Sequence, residues 1–371
     1  MTTSYSLDIR NDFDGMTLAL EWAAKGLYTT SPNPRIGCVI VRDGRVIGAG
    51  VTQPAGQDHA EIQALKDAQS RGNDVRGATA YVTLEPCNHH GRTPPCSDAL
   101  VRAGLGRVVA AMEDPNPLVA GQGMAKLAAA GIATTTGLLA EAAYELNIGF
   151  FSRMVRGLPW VRLKTAASLD GVTALHNGVS QWITGPEARA DGHAWRARAC
   201  AILTGIGTVK ADDPQLNVRA VETTRQPRRI VVDSKLEISP QARILHGGGT
   251  WIAAAVRDAD KEAALRDAGA EIIHLPNASG KVDLPELMRE LGRRQINELH
   301  AEAGGKLNGS LVREHCVDEL LAYLAPSLIG DGQGMFALPA LTDLSQQHRL
   351  KFHEVKQIGA DLRILARFTP L

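Results

Sequence analysis

Residues 85–100 read EPCNHHGRTPPCSDAL, and residues 59–61, earlier in the chain, read HAE. In the first stretch Cys87 and Cys96 enclose His89, His90 and Arg92, so four side chains able to ligate a metal crowd into ten residues. A catalytic zinc takes three protein ligands and keeps a fourth tetrahedral position for water, whose pKa it lowers toward ~7. His59 with Cys87 and Cys96 makes such a set. Glu61, two residues from the histidine, is then placed to take a proton from that water and pass it to a departing amine.

Both stretches carry local helix signals. Asp58 is a good N-cap for a helix opened by His59. Thr93-Pro94-Pro95-Cys96 reads as an N-cap, a proline at the first helical position and a cysteine in the first turn, and a helix N-terminus favours a thiolate. Each feature alone has a plainer reading. Glu61 falls three residues after Asp58 and could complete a capping box, and either cysteine could be a small core residue. The ordered combination is more specific. Zinc nucleobase deaminases carry H-x-E…P-C-x-x-C, and His59-Ala60-Glu61 followed by Pro86-Cys87 is similar to it. The second cysteine is at Cys96 rather than three residues on.

Outward from these stretches the pattern alternates. Residues 12–27 have helical apolar spacing ending near Gly26, and residues 36–51 read as two strands around Asp43-Gly44. Residues 58–72 look helical, TAYVTLEP a strand, TPPCSDALVRAGLG a short helix, RVVAAMEDP a strand and MAKLAAAGI a helix. A single long helix, LLAEAAYELNIGFFSRM, is expected to close this part. Gly157 and Pro159 break the pattern, which predicts domains at 1–153 and 154–371. The second restarts the alternation with WVRLKTAASLDG, PEARADGHAWRARA, CAILTG, RRIVVDS, TWIAAAV and LHAEAGG, and closes on a hairpin over 350–368. Strands alternating with helices predict α/β layers in both.

The chain's 371 residues are too many for one ordinary core. Lys plus Arg and Asp plus Glu are 40 each, so net charge is zero, which argues against bulk attraction to nucleic acid or anionic membrane. No apolar run approaches the ~18 residues needed to span a bilayer. The N-terminus does not read as a secretory signal. Five scattered cysteines are no disulfide framework, so a cytoplasmic protein with reduced thiols is expected.

HAE…EPCNHHGRTPPC, with SPNPRIGCVIV and EDPNP, resembles the deaminase half of the bifunctional riboflavin-biosynthesis deaminase–reductases, which carry a longer PC…HHGRTPPC insert than cytidine deaminases do. The resemblance implies a cytidine-deaminase-like three-layer domain in which Asn33, His89, Arg92, Asp114 and Asn116 line a pyrimidine phosphate site. Read locally, Asn33, Asp114 and Asn116 neighbour prolines and suit turns equally well. Two positions depart from the family, which often has histidine where this chain has Thr52 and Gln63.

KTAASLDG, SQWITG and ILTGIGTVKADDPQLNVR resemble the reductase half, whose fold is similar to dihydrofolate reductase. The resemblance implies NADPH on Ala166, Trp182, Thr208, Asp212, Ser234 and the turn Gly304, Gly305, Lys306, Leu307, Asn308, Gly309 and Ser310. It implies substrate on Ser180, Arg196, Leu216, Arg219 and Glu302. Lys164, alternating with apolar residues on a strand, is a further substrate candidate. From the residues alone, 302–310 is a Gly-rich turn between strand and helix that could cradle a pyrophosphate, without the G-x-G-x-x-G fingerprint. Trp182 could be a core aromatic and Asp212 a helix terminator, and the two arginines suit a phosphate monoester.

The expected function is therefore zinc-dependent hydrolytic deamination of a diaminopyrimidinone ribosyl phosphate, then NADPH-dependent reduction of the ribosyl group to ribityl. The partners are small pyrimidine ribosyl phosphates, with homo-oligomerisation left open. A nucleic-acid base deaminase fused to an unrelated α/β domain is the alternative. A structural zinc module, with His89 or His90 as fourth ligand, is a third reading.

Overall fold

The computed structural model describes residues 8–88, 94–116 and 120–369. It divides into two compact units, Met1–Arg156 and Gly157–Leu371. The division lies three residues past the expected 153/154, because the helix containing Arg153 runs on to Arg156 and stops before Gly157, whose φ is +70°.

The first unit has strands β1 (Gly37–Arg42), β2 (Arg45–Val51), β3 (Thr79–Val82), β4 (Arg107–Ala110) and β5 (Ala133–Thr136). Its helices are α1 (Asp12–Lys25), α2 (Ala60–Ser70), α3 (Cys96–Ala103), α4 (Gln122–Ala129), α5 (Ala140–Leu146) and α6 (Ile148–Arg156). The sheet order is β2-β1-β3-β4-β5, with β1 antiparallel to β2 and β3, and β3, β4 and β5 parallel. Asp43 and Gly44 both have positive φ, as a two-residue type I′ hairpin requires. One face packs Val39, Tyr81 and Val109 against Met16 and Ala19 of α1 and Ala143 of α5. The other packs Cys38, Val82 and Val108 against Ala64 of α2, Leu100 of α3 and Leu127 of α4. The result is three layers, helix–sheet–helix, as the resemblance implies.

The expected single closing helix is two helices. Asn147 separates α5 from α6 because its buried amide is recruited elsewhere. It accepts the Arg35 backbone N–H at 2.7 Å and donates to the Arg35 carbonyl at 3.0 Å.

The second unit has strands β6 (Trp160–Ser168), β7 (Val172–Ala174), β8 (Ala201–Gly205), β9 (Arg228–Val232), β10 (Thr250–Ala254), β11 (Ala270–His274), β12 (Glu298–Glu302), β13 (Glu319–Ala325), β14 (Gln333–Gly334), β15 (Leu350–Ile358) and β16 (Asp361–Phe368). Its α-helices are α7 (Pro186–Arg198), α8 (Ile206–Asp212), α9 (Ala259–Asp267), α10 (Leu284–Arg293) and α11 (Gly305–Arg313). The large sheet runs β11-β10-β9-β8-β12-β6-β13-β16-β15. It is parallel as far as β13 and closed by the antiparallel hairpin β15–β16. Parallel strands are covered on both faces and therefore read as apolar runs; β8 and β10 are buried throughout. Leu203 and Leu299 face Leu287 and Leu291 of α10 on one side, and Ile202 and Ile252 face Val209 of α8 and Leu265 of α9 on the other.

Candidate functional sites

The first candidate site sits where α2 and α3 begin. Gly50 on β2 lets α2 lie directly on the strand, since a Cβ there would fall 2.4 Å from the Ala60 carbonyl oxygen. That contact seats the helix start and its two reactive residues. His59, not Asp58, is the N-cap residue, and it caps with backbone alone. Asp58 is engaged otherwise: its Oδ2 accepts from the Gln63 amide at 2.8 Å and from Lys66 Nζ. Glu61 therefore lies one position too early for the expected capping box. Its side chain is buried, 4% exposed.

Cys87 follows β3, and Cys96 is the first residue of α3. The helix starts later than expected: its N-cap is Pro95, and Thr93 lies outside the described residues. His59 Nδ1 is 3.6 Å from Cys87 Sγ and 3.3 Å from Cys96 Sγ, and the three donor atoms all lie within 4.8 Å of one another. Tetrahedral zinc at ~2.0 Å from nitrogen and ~2.3 Å from sulfur sets a nitrogen–sulfur separation of roughly 3.5 Å. The geometry and the soft donor set fit zinc. None of the five cysteines is joined in a disulfide.

The helix start assists the sulfur chemistry. Cys96 donates its backbone N–H to Cys87 Sγ at 3.3 Å. The Cys96 thiol, with this N–H and the His59 ring, draws Cys87 down against the opposing effect of burial. Cys96 itself is raised, because its proton is held by Cys87 and the site is buried. Burial pushes the Glu61 carboxyl up to about 7, with the Cys87 charge adding to it and His59 pulling it back. Cys38, fully buried on β1, is close enough for Glu61 to raise its thiol further, behind the larger effect of burial.

Of the expected pyrimidine-site residues, His89 and Arg92, like His90, lie outside the described residues. Asn33 is half-buried in the turn before β1, where its N–H bonds the Thr30 carbonyl. Asp114 and Asn116 are joined by an Asx contact, Asn116 N–H to Asp114 Oδ1 at 2.9 Å. The sequence reading missed Glu85. This buried carboxylate accepts four backbone N–H bonds from described residues: Asp114 at 3.0 Å, Gly121 at 2.9 Å, Gly123 at 2.7 Å and Met124 at 3.3 Å. Its partners are remote in sequence, so no local spacing signals the role. Thr52, at a family histidine position, is buried with its hydroxyl unbonded among the described residues.

The second candidate site lies at the carboxyl ends of the parallel strands, where open α/β sheets bind their ligands. Lys164 on β6 and Glu302 on β12 are register partners on neighbouring parallel strands. Arg196 on α7 grips Glu302 as a fork, Nε to Oε1 at 2.5 Å and Nη2 to Oε2 at 2.9 Å. Arg196 Nη1 also reaches the Asn217 carbonyl at 3.5 Å, and Arg219 Nη1 bonds the Asn217 side chain at 3.0 Å. Between them Leu216 is buried with φ +45°. Lys164, Arg196, Glu302 and the 216–219 turn are thus brought together. Ser180 is half-buried in the connection before α7 and makes no side-chain hydrogen bond among the described residues.

Two histidines that the sequence reading passed over flank this cluster. His193 is three residues before Arg196 on α7, on the same helix face. Burial, reinforced by Arg196 and Arg219, pushes it down to about 4. His300 shares the β12 face with Glu302, is 1% exposed, and holds Nε2 3.3 Å from Glu302 Oε1, off hydrogen-bond alignment. Burial would raise Glu302, but Arg196, His300 and Lys164 hold it well below the usual carboxylate range. Burial lowers Lys164.

The expected cofactor residues line the same strand ends. Ala166 is on β6, Thr208 and Asp212 are on α8 directly after β8, and Ser234 follows β9, where its Oγ accepts the Val282 N–H at 3.1 Å. Asp212 ends its helix, while Asp213 in the left-handed region is the cap. Trp182 is no core aromatic: it is 68% exposed, with the Arg189 guanidinium 4.5 Å from its ring centre. The Gly304–Ser310 segment is mostly helix, not loop. Only Gly304 precedes α11, as an N-cap without a side-chain bond, leaving a helix N-terminus suited to a phosphate. Lys306 is in the first turn. A Cβ on Gly305 or Gly309 would strike the Gly334 or Ala337 carbonyl, and Leu307 packs on Gly205. Asn308 donates to the Met335 carbonyl and Ser310 Oγ to the Lys306 carbonyl. These later residues dock α11 within the unit.

Residues 10–112 match the family model of the cytidine and deoxycytidylate deaminase zinc-binding region, and residues 159–364 match the RibD C-terminal domain. A riboflavin biosynthesis protein RibD of Escherichia coli is 47% identical over 94% of this chain and 96% of its own length. The chain belongs to the RibD family. A Haemophilus influenzae RibD is 46% identical over 96% of each chain. An Acinetobacter baumannii RibD structure superposes with a TM-score of 0.88 at 41% identity, covering 97% of this chain and 99% of that one. The structure of a Thermotoga maritima diaminohydroxyphosphoribosylaminopyrimidine deaminase/5-amino-6-(5-phosphoribosylamino)uracil reductase gives 0.87 at 33% identity, covering 96% and 99%. As a RibD, the chain is a bifunctional deaminase–reductase of riboflavin biosynthesis that uses zinc and NADPH. The alternative of a base deaminase fused to an unrelated domain is not favoured, because the second unit matches the RibD reductase domain. No helix among the described residues is long and apolar enough to cross a membrane.

Proposed function

We propose that residues 1–153 hydrolyse the exocyclic amino group of 2,5-diamino-6-(ribosylamino)-4(3H)-pyrimidinone 5′-phosphate, and that residues 154–371 reduce the resulting uracil's ribosyl group to ribityl, both in the cytoplasm. The observation that supports this best is the convergence of His59 Nδ1, Cys87 Sγ and Cys96 Sγ beside the buried Glu61.

His59, Cys87 and Cys96 hold the zinc, and Glu61 works beside it. Bound zinc supplies a water acidic enough to serve as nucleophile near neutral pH. Glu61 takes a proton as oxygen adds to the amine-bearing ring carbon and returns it to the nitrogen, so that the C–N bond breaks and ammonia leaves. Buried beside the three zinc ligands, the Glu61 carboxyl is placed to carry the proton both ways out of bulk water. Asn33, His89, Arg92, Asp114 and Asn116 hold the pyrimidine and its phosphate.

In the second unit, the open imine form of the sugar takes a hydride at C1′ and a proton at nitrogen. NADPH supplies the hydride, and its binding falls to Ala166, Trp182, Thr208, Asp212, Ser234 and the α11 start. Lys164, Ser180, Arg196, Leu216, Arg219 and Glu302 orient the substrate. Guanidinium groups match a phosphate monoester, and the chain's contribution is mainly positioning. Coupled assay tests the reading: ammonia release from the diaminopyrimidine should precede NADPH oxidation and match it mole for mole. NADPH oxidation without ammonia release would contradict it.

A further inference from the structure

We infer that Glu85 is a positioning residue for the deamination: it sets the segment bearing Asp114 and Asn116 in register with the segment bearing Cys87. This rests on the reading above that Asp114 and Asn116 meet the substrate.

The physical argument begins with α4. Its N-cap is Gly121, which has no side chain to accept the first N–H groups of the helix. Glu85 performs that task from a distant part of the chain. Oε1 accepts from Gly123 and Met124 in the first turn, while Oε2 accepts from Gly121 and, earlier in the chain, from Asp114. A negative group at a helix N-terminus is also favoured by the helix dipole. Gly121 has φ +75°, in the left-handed region that favours glycine, so the position carries no side-chain cap of its own. The carboxylate comes instead from the residue that precedes Pro86-Cys87.

A second contact acts in the same direction. Gly123 lies so close to the Pro86 carbonyl that a Cβ there would be 2.0 Å from its oxygen. The start of α4 is therefore pressed against the Glu85–Cys87 segment by backbone contact as well as by the carboxylate. Asp114 is tied to Glu85 through its N–H and to Asn116 through its side chain. The position of both candidate substrate contacts is thus referred to a point two residues from a zinc ligand.

The test uses the full-length, zinc-loaded chain and its Glu85→Gln variant, with the second unit's reductase activity as an internal control of folding. The amide leaves one oxygen acceptor, so the four-bond arrangement breaks. The expected result is one retained zinc, unchanged reductase activity, a deaminase KM raised ~10-fold or more, and kcat within ~3-fold. Gly123→Ala, which keeps the carboxylate but forces α4 off Pro86, is expected to give the same split. An unchanged KM in both variants, with only a lower melting temperature, assigns Glu85 a merely structural role and overturns the inference alone. Loss of zinc from both variants also overturns it, because the carboxylate would then serve the metal. Absence of deamination in the unmodified chain would instead overturn the underlying functional reading.

Discussion

Arg196 and Glu302 meet as a two-point fork, one guanidinium nitrogen on each carboxylate oxygen, at the carboxyl ends of the parallel strands. Lysine cannot reproduce that planar pairing. Hydrogen bonds to charged groups contribute about 1.5–3 kcal/mol. Arg196→Lys and Glu302→Gln should therefore each lower reductase kcat/KM by ~10²-fold and leave ammonia release unchanged. Steady-state assays of both half-reactions on the same preparations check this. Equal losses in both would show a folding defect instead.

The same pair gives a pH prediction. Glu302 is held below its ordinary range, so its contribution to stability is present above the unfolded carboxylate value of about 4.3. That contribution is lost as pH falls through the lower folded value. Arg196→Ala removes the strongest influence opposing burial. The Glu302 pKa should then climb, and acid unfolding of the second unit should begin at a higher pH. An acid titration followed by circular dichroism reads the midpoint; an unmoved or lower midpoint would contradict the assignment.

The zinc motif was legible because its chemistry is local: H-x-E at one helix start and P-C at a strand end announce themselves by residue type and spacing. Their exact helix boundaries were not. Asp58 reads as an N-cap from sequence, but Gln63 and Lys66 occupy its carboxylate, and His59 caps instead. The closing helix of the first unit reads as continuous from sequence because its composition is helical throughout. The distant Arg35 explains the break, its backbone pairing with the Asn147 amide and its guanidinium taking the Leu146 carbonyl. Strand β5, ATTT, is short, polar and at the sheet edge, so it lacks the alternation that marks a strand. Glu85 shows the general limit most clearly, since its partners lie 29 to 39 residues away.

Metal content should follow three residues and not the histidines between the cysteines. Cys87→Ser, Cys96→Ser and His59→Ala should each lower zinc affinity by far more than the 10- to 100-fold typical of outer-shell changes. His89→Ala and His90→Ala should retain one zinc per chain. Elemental analysis of the purified variants decides it, and zinc loss on removing either His89 or His90 would favour a closed, four-ligand structural site.

Glu61→Gln should keep zinc and substrate affinity but lower the deaminase kcat by about 10²–10⁴-fold, the range of general acid–base catalysis. Reductase activity, supplied with the deaminated substrate, should be untouched. Near-normal ammonia release from the variant would remove Glu61 from the proton path.

The central claim, that one chain carries out both steps in order, is tested most directly by product mass. The diaminopyrimidine ribosyl phosphate is supplied to the zinc-loaded chain with and without NADPH. Without NADPH the product should have one NH replaced by oxygen and nothing else changed. With NADPH the same product should carry two further hydrogens. Reduction of the undeaminated substrate as the main reaction, or no change of mass in either case, would contradict the account.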